Sequence, residues 1–373
     1  MDCREWQVVV DCLGVNETQL TNLGINMHIG IFGAGSVGAY VGGMMARGGH
    51  QVTMVDLWSE HVSHMKQHGL SLSGSQGDFH VPVHALHLSE AQVLLKNKVD
   101  VAILCVKSYD TEWMTLFLRD YLSSDGYVLS MQNGMNEETI AHLVGWGRVV
   151  GCVLNTIGVE MTGPGQVMRW MKPAPPGYPV FRIGEMHGRV TPRALQIAEV
   201  LKSVDHADVT TNLWGERWSK LTNNATASAI GPLTGMGIVD MFAHRDTRRL
   251  SIKLAQEGVL VGRAMGLQLE KISSIPPDVW LAGNPNVSDG FAQIEKELKK
   301  WEERLDVTGQ ASTLHDIRRG RRTEIESING LIAKKAFELG VAAPLHTILT
   351  ARVLQLEAGE LTQGLDTIKD LFD

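Results

Sequence analysis

The sequence is short of cysteine and of positive charge, and each shortage argues against a class of protein. The four cysteines among 373 residues, Cys3, Cys12, Cys105 and Cys152, have the spacing of neither a zinc site nor a disulfide framework. A reducing, cytoplasmic compartment and no bound metal are therefore expected. Acidic residues outnumber basic ones by 41 to 34, and the net charge of -7 argues against a dedicated nucleic-acid-binding protein.

Long apolar runs are missing as well. No stretch reaches the ~18 consecutive apolar residues of a membrane span, so no membrane partner is expected. The first residues, MDCREWQVVVDCLG, lack the basic region of a secretory signal peptide. Residues 1–26 match no predicted element. They are expected to be either a non-native addition before a start at Met27 or an extension that packs on the surface.

The remaining composition is that of a folded protein. Hydrophobic residues make up 44% of the chain and charged residues 20%, which are ordinary values for a globular domain. At ~150 residues per domain, the length predicts two domains.

The first half alternates between strand and helix patterns. The run HIGIF at 28–32 is followed by a glycine-rich turn, a helical pattern and the strand pattern QVTMVD, which together form a βαβ unit. VDVAILCVKS, YVLSMQNG and RVVGCVLNT read as further buried strands. Residues 27–211 are therefore predicted to form a Rossmann-type, doubly wound parallel sheet.

The second half, residues 212–373, is predicted to be all α-helical. Its helical patterns cover 213–230, 245–265, 288–304, 312–340 and 344–358. Residues 270–290, rich in Pro, Gly, Asn and Ser, are predicted to be a loop between helices. A loop of that length is long for a simple connection, so a lid is an alternative.

The turn after the first strand has the G-x-G-x-x-G pattern, with a strand before it and a helix after it. Gly33 permits a tight turn, Gly35 lets a pyrophosphate approach the backbone, and Gly38 lets the helix pack closely on the strand. The phosphates would lie at the helix N-terminus, where free N–H groups favour anions. A merely tight turn is the alternative. The predicted cofactor-binding residues are Gly33, Ala34, Gly35, Ser36, Val37 and Gly38.

Asp56 ends the second predicted strand. An acid there usually accepts hydrogen bonds from the adenosine ribose and would repel a 2′-phosphate, so NAD(H) is favoured over NADP(H). Arg47 lies too early in the chain to be the obvious phosphate partner. The alternative is that Asp56 caps the following helix.

Two further candidates, Lys107 and Asn133, follow predicted strands. Ligands bind beyond the carboxyl ends of the strands in such sheets, so both are predicted to contact the cofactor. Asn133 could instead belong to a plain Asn-Gly turn.

Two segments of the helical half carry candidate catalytic groups. Lys220, Asn224 and Ser228 are spaced i, i+4, i+8 and so share one helix face, which predicts either a carbonyl-binding surface or a solvated stripe. Ser312, Asp316 and Glu324 also fall on helical spacings. The alternative for the second segment is a set of surface ion pairs that join Glu324 and Glu326 to Arg321, Arg322 or Lys334.

The motifs MQNG, WSKLTNNATASAIGPLTG and GRRTEIESINGLIAKKAFELGVAAP, after the glycine-rich turn and in this order, resemble the ketopantoate reductase (2-dehydropantoate 2-reductase) family. The resemblance runs from about Met27 to about Arg352. It implies a Rossmann domain, an all-α C-terminal domain like that of 6-phosphogluconate dehydrogenase, and reduction of a 2-keto acid by a nicotinamide cofactor. A homodimer is plausible on this resemblance alone.

The resemblance also implies residue roles. Lys220 matches the general acid, Asn224 and Ser312 match substrate-binding residues, and Glu324 lies near the cofactor and the lysine. Lys107 and Asn133 match cofactor contacts, together with the segment from Gly33 to Gly38.

Three departures from the family pattern point to an alternative substrate. Ser228 stands where the family has a substrate-binding asparagine, and Asp56 where NADPH-dependent members tend to carry a basic residue. The 270–310 segment is longer than the resemblance implies for compact members. It brings Trp280, Phe291 and Trp301, which either line a larger pocket or bury a helix. The alternative is thus a relative with a bulkier hydroxy or keto substrate, NAD-dependent and working in either direction. A cofactor-binding protein without catalysis is disfavoured because Lys220 and Glu324 are both retained.

Overall fold

A computed structural model describes residues 27–155, 157–173, 178–283, 289–302 and 309–372. The expectations for residues 1–26 and for the Trp301 side chain lie outside the described part. The chain divides into two compact units, Met1–Leu213 and Trp214–Asp373.

The first unit is built on an eight-stranded sheet in the order β12-β11-β8-β7-β6-β1-β2-β5. Its central strands are fully buried apolar runs, as expected where helices cover both faces of a sheet. The strands of this sheet are β1 (His28–Phe32), β2 (Gln51–Asp56), β5 (His84–His87), β6 (Val99–Leu104), β7 (Leu122–Ser130), β8 (Val149–Leu154), β11 (Phe181–Glu185) and β12 (Ala207–Val209).

The helices of the first unit alternate with these strands, which gives the predicted doubly wound arrangement. They are α1 (Ser36–Arg47), α2 (Ser59–His68), α3 (Thr111–Leu118), α4 (Glu137–Val144) and α5 (Pro192–Leu201). Short 3-10 segments include Leu88–Leu95 and Ser108–Asp110.

The prediction of a wholly parallel sheet is wrong at one edge. Six strands, β8, β7, β6, β1, β2 and β5 in sheet order, run parallel to one another. β11 pairs antiparallel with β8, and β12 pairs parallel with β11. The described residues between β8 and β11 contain no helix, so the chain returns in the opposite direction, as antiparallel neighbours allow.

A second sheet of four strands, in the order β4-β3-β10-β9, was not predicted. Its strands are β3 (Leu70–Gly74), β4 (Phe79–Val81), β9 (Val159–Gly163) and β10 (Gln166–Arg169). They are short and only partly buried, and only β3 alternates clearly, with Leu70 and Leu72 buried. The parallel pair β3–β10 joins distant parts of the chain, and no local pattern signals that pairing.

The second unit is helical. Its helices are α6 (Leu213–Ser228), α7 (Ile230–Thr234), α8 (Ile238–Ala243), α9 (Arg245–Ala264), α10 (Pro277–Ala282), α11 (Asp289–Glu302), α12 (Ser312–Arg318), α13 (Asn329–Leu339) and α14 (Pro344–Glu357). No helix among the described residues is long and apolar enough to cross a membrane.

Two sequence predictions fail in this unit. Residues 270–290 are not all loop, because Pro277 occupies the first turn of α10 and Trp280 is buried at 2% exposure. The 312–340 pattern is not one helix. Gly320 adopts a left-handed φ of 61° after α12, and the Ile325 N–H donates to the Thr323 side chain in place of a helical carbonyl.

Candidate functional site

The glycine-rich turn joins β1 to α1, and two of its glycines are required by packing. Gly33 has a φ of 94°, and its N–H donates to the Val55 carbonyl at 2.9 Å. A Cβ on Gly38 would lie 2.1 Å from the Gly33 carbonyl oxygen. Both positions therefore exclude a side chain, as close packing of the helix on the strand demands.

Gly35 differs from its two neighbours in the motif. A Cβ on Gly35 would meet no described atom within 4 Å, so protein packing does not require a glycine here. What the glycine provides is an exposed backbone at the start of α1, whose first turn holds no acidic residue. These features fit a phosphate group that binds the helix N-terminus.

The predicted contacts Lys107 and Asn133 lie at the same sheet edge as this turn. β1, β6 and β7 are parallel neighbours, so their carboxyl ends meet. Both side chains are half-buried. The Asn133 carbonyl accepts hydrogen bonds from Ser108 Oγ at 3.0 Å and from Asn136 Nδ2 at 2.8 Å, which links the loops after β6 and β7.

Asp56 ends β2, and one of its oxygens has a structural role. Asp56 Oδ1 accepts a hydrogen bond from the Trp58 N–H at 2.8 Å, which closes the turn into α2. Trp58, and not Asp56, occupies the N-cap position of that helix. Asp56 therefore does not cap α2, as the alternative had it, but closes the turn before that helix. Its half-buried carboxylate lies at the carboxyl end of β2.

His61, on α2, supports the glycine-rich turn and was missed in the sequence. Its side chain is 1% exposed and stacks on Trp58 with ring centroids 5.4 Å apart. One ring nitrogen, Nε2, lies 2.9 Å from the Ala34 carbonyl, and the other, Nδ1, accepts the Gly165 N–H at 2.8 Å. Burial lowers the pKa of His61 below its ordinary value. No sequence signal distinguishes His61 from the other histidines of the SEHVSHMKQH helix.

In the second unit, α6 presents the predicted polar face. Lys220 and Asn224 are half-buried, and Ser228 is 4% exposed, whereas Trp218 and Leu221 on the other side are in the core. The face is therefore neither a solvated stripe nor a part of the apolar core.

The start of the 270–290 segment is fixed to α6 on both sides of Lys220. Ser219 Oγ accepts the Glu270 N–H at 2.8 Å, and Ser273 Oγ donates to Asn223 Oδ1 at 2.5 Å. Ser273 and Ser274 both have positive φ values, 49° and 66°, a strained conformation that is often found at functional sites.

Glu324 is 4% exposed, so its carboxylate does not lie on the solvated surface, where the alternative placed a surface ion pair. Glu326 does form such a pair, with Arg322 at 2.7 Å. The neighbouring Thr323 donates from both its N–H and its hydroxyl to Glu357 Oε1, so the end of α14 holds this segment.

Two hydrogen bonds join the remaining candidates to α6. Asn329 Nδ2, shortly after Glu324, donates to the Ala225 carbonyl at 3.0 Å. Thr313 Oγ1 donates to the Ser228 carbonyl at 2.7 Å, and its neighbour Ser312 is exposed at the start of α12. The structure thus ties both sequence segments to the helix that carries Lys220.

Comparison with known proteins follows the division of the chain. The family model "Ketopantoate reductase PanE/ApbA" matches residues 29–174, and "Ketopantoate reductase PanE/ApbA C terminal" matches residues 212–357. The chain belongs to the ketopantoate reductase family. The predicted family and fold class are confirmed.

Individual relatives and solved structures show how far this likeness extends. The 2-dehydropantoate 2-reductase of Archaeoglobus fulgidus is 29% identical over 340 residues, which cover 89% of this chain and 98% of the relative. A PanE/ApbA family ketopantoate reductase from Ralstonia eutropha has a TM-score of 0.71 at 27% identity, with 90% and 99% of the two chains covered. D-mandelate dehydrogenase with NADH and anilino(oxo)acetate has a TM-score of 0.73 at 22% identity, with coverage of 89% and 99%.

As a ketopantoate reductase family member, this chain is a nicotinamide-dependent oxidoreductase that acts on CH–OH groups. The geometry of the glycine-rich turn fits a dinucleotide, because Gly35 leaves the backbone at the start of α1 accessible.

Proposed function

We propose that this family member reduces the ketone of 2-dehydropantoate, or of a similar 2-keto acid, with NADH. Residues 27–211 would bind the dinucleotide and residues 212–373 would carry catalysis. The observation that carries this proposal is the half-buried face of Lys220, Asn224 and Ser228 on α6, to which Asn329 and Thr313 attach the Glu324 and Ser312 segments.

The chemistry follows from the charge that develops during reduction. The nicotinamide, when bound, supplies the hydride to the ketone carbon. Lys220 stabilises the negative charge on the carbonyl oxygen and donates the proton to that atom. Glu324 orients the ammonium group, and Asn224, Ser228 and Ser312 hold the substrate hydroxyl and carboxylate.

In the first unit, the cofactor lies along the edge formed by the glycine-rich turn. The backbone from Gly33 to Gly38 binds the pyrophosphate, and Asp56 accepts the ribose hydroxyls and disfavours a 2′-phosphate. Lys107 and Asn133 contact the nicotinamide half. Support for these roles comes from the strand ends that β1, β2, β6 and β7 share in the sheet.

A second candidate substrate is a bulkier ketone or alcohol, used with NAD in either direction. Ser228 favours it, since serine reaches less far than asparagine, and so does the similarity of fold to D-mandelate dehydrogenase, which binds NADH. The aromatic residues give it less support. Trp280 packs in an apolar cluster with Ile252, Val259 and Ile294. This packing fits the alternative in which the aromatic side chain buries a helix.

The test follows nicotinamide absorbance with the purified chain, 2-dehydropantoate, and NADH or NADPH in parallel. Rapid NADH oxidation with 2-dehydropantoate is expected. Binding of NADH without turnover would contradict the first substrate and favour the second, which a screen of aromatic 2-keto acids and 2-hydroxy acids would then identify.

Lys220→Ala tests the catalytic role. Loss of the general acid should lower kcat by about 10²–10⁴-fold, with NADH binding retained. Lys334→Ala, at a lysine whose side chain is 70% exposed, is the matched control. Near-normal turnover of Lys220→Ala would contradict the assignment.

We also infer a homodimer in the cytoplasm. A neighbour of the same fold, from Staphylococcus aureus, is named as a dimeric ketopantoate reductase. Cys105 and Cys152, the cysteines within the described residues, are thiols and not a disulfide, as a reducing compartment favours. Light scattering on the purified chain tests the dimer.

A further inference from the structure

His61 connects two parts of the first unit that are distant in sequence. Its Nε2 atom contacts the Ala34 carbonyl of the glycine-rich turn, and its Nδ1 atom contacts the N–H of Gly165 in the turn between β9 and β10. The ring is almost fully buried, so neither bond is exchanged freely with water.

The two partners fix the protonation of the ring. A backbone N–H can only donate, so Nδ1 carries a lone pair, and a carbonyl can only accept, so Nε2 carries the proton. His61 is therefore neutral and held in one tautomer. Both of its nitrogens are used, and the Ala34 carbonyl, buried with its residue, has a partner.

The bond to Ala34 determines the direction of the Gly35 amide. A trans peptide unit is planar, so the carbonyl of one residue and the N–H of the next point in opposite directions. With the Ala34 carbonyl directed at His61, the Gly35 N–H points away from His61. Gly35 is the exposed glycine of the motif, where a Cβ would meet no described atom.

The turn that holds His61 from the other side has its own sequence requirements. Gly165 has a φ of 68°, and a Cβ there would lie 2.0 Å from the His64 ring. Its carbonyl accepts the Ser71 N–H at 2.8 Å, which anchors it in the second sheet. A second link, from the Met161 N–H to Ser36 Oγ at 3.0 Å, joins the same sheet to the first residue of α1.

We propose that His61 is a positioning residue for the cofactor: it orients the Ala34–Gly35 peptide so that the Gly35 N–H can bind a phosphate of the dinucleotide. This proposal rests on the placement of the cofactor at the glycine-rich turn, as proposed above. His61 itself touches neither cofactor nor substrate.

The test measures the Kd of NADH by fluorescence titration and the steady-state constants of the full chain. His61→Asn keeps an acceptor near the Nδ1 position but cannot reach Ala34. It should raise the Kd of NADH about five- to thirtyfold, the effect of leaving one buried carbonyl without its hydrogen bond. At saturating NADH, kcat and the KM of the keto acid should stay unchanged.

His61→Gln places an amide donor near the Nε2 position and should restore binding. His68→Gln, at an exposed histidine of the same helix, is the control.

Gly35→Val separates the failure of this proposal from that of the cofactor placement. A Cβ at Gly35 meets no described atom within 4 Å, so the variant should fold, yet it should lose NADH binding. If it does and His61→Asn binds NADH within twofold of the unaltered chain, the role of His61 is overturned and the placement stands. If Gly35→Val also binds normally, both are overturned.

The unaltered chain offers a measurement that does not depend on the folding of a variant. A protonated Nδ1 would direct its N–H at the N–H of Gly165, and the hydrogen bond between them would be lost. The Kd of NADH should therefore rise as the pH falls below the ordinary histidine range. The Asp56 carboxylate favours that protonation, and burial and His64 oppose it. His61→Gln should lack the rise, and an equal rise in His61→Gln would overturn the proposal.

Discussion

Asp56 has one structural role in the fold and one selective role in the proposed function. Its Oδ1 atom closes the turn into α2 by accepting the Trp58 N–H, which needs an oxygen but no charge. The repulsion of a 2′-phosphate, by contrast, needs the negative charge. An amide in place of the carboxylate separates the two roles, because it keeps the acceptor and removes the charge.

Asp56→Asn should therefore fold normally and lose the proposed preference for NADH over NADPH. We expect the ratio of kcat/KM with NADPH to that with NADH to rise about tenfold, which corresponds to about 1.4 kcal/mol. Parallel assays with the two cofactors measure the ratio, and Asp120→Asn, whose side chain is 74% exposed, is the control. An unchanged ratio would show that Asp56 serves the turn alone.

At the scale of elements, a buried polar network joins four helices of the second unit. His346 on α14 is fully buried, accepts from Asn329 on α13 through Nδ1, and contacts the Leu254 carbonyl of α9 at 3.0 Å through Nε2. Asn329 in turn donates to the Ala225 carbonyl of α6. The helix that carries Lys220 is thus connected, through Asn329, to the ionisable ring of His346.

The His346 ring makes this network sensitive to acid. Burial lowers the pKa of His346 to about 4, whereas in the unfolded chain it is ~6.5. Its contribution to the free energy of unfolding is complete above pH 6.5 and is lost as the pH falls toward 4, by about 2–3 kcal/mol. Urea unfolding at several pH values measures this loss. The difference between the unaltered chain and His346→Gln should shrink steadily from pH 7 to pH 4.5, and a constant difference would contradict the prediction.

Glu257 on α9 has the opposite dependence. It accepts the Leu345 and His346 N–H groups at the start of α14, but burial raises its pKa to about 7. Because the folded chain holds this proton and the unfolded chain releases it near pH 4.5, stability falls as the pH rises between these values. Glu257→Gln should gain about 1–2 kcal/mol relative to the unaltered chain between pH 5 and pH 8. Glu360→Gln, at an exposed residue, should show no such gain in the same unfolding experiment.

For the whole molecule, features with local causes could be predicted and features with distant partners could not. Gly38 is required by the Gly33 carbonyl five residues away, and Gly33 by its own positive φ, so their spacing indicated the turn. The buried runs of β6, β7 and β8 and the long helices α9 and α14 were found from their apolar patterns. His61 and the second sheet depend on partners far along the chain, so no local pattern marks them.

The candidate catalytic residues divide in the same way. The common face of Lys220, Asn224 and Ser228 follows from helical spacing. The burial of Glu324 could not be predicted, because it depends on a break at Gly320 and on the hydrogen bonds from Thr323 to Glu357. The glycine in RRGRR was the only local signal for that break.

Cofactor binding should stabilise the folded chain independently of catalysis. A ligand at 100 times its Kd adds about 2.7 kcal/mol to the free energy of unfolding. NADH should therefore raise the Tm of the unaltered chain and of Lys220→Ala to the same extent, and that of Gly35→Val not at all. Differential scanning calorimetry measures the three shifts. A shift lost in Lys220→Ala would assign that lysine to cofactor binding.

The contact between His61 and Gly165 also sets an order of events during synthesis. The two residues are 104 positions apart, and Ser36 and Met161 are 125 apart. A ribosome has therefore made the whole phosphate-binding motif long before it makes the amides that hold it. The emerging chain can assemble β1, α1 and β2 early, but His61 and Ser36 acquire their partners on Gly165 and Met161 only after the β9–β10 turn leaves the exit tunnel. On the proposed role of His61, cofactor capture is delayed until much of the first unit has been translated.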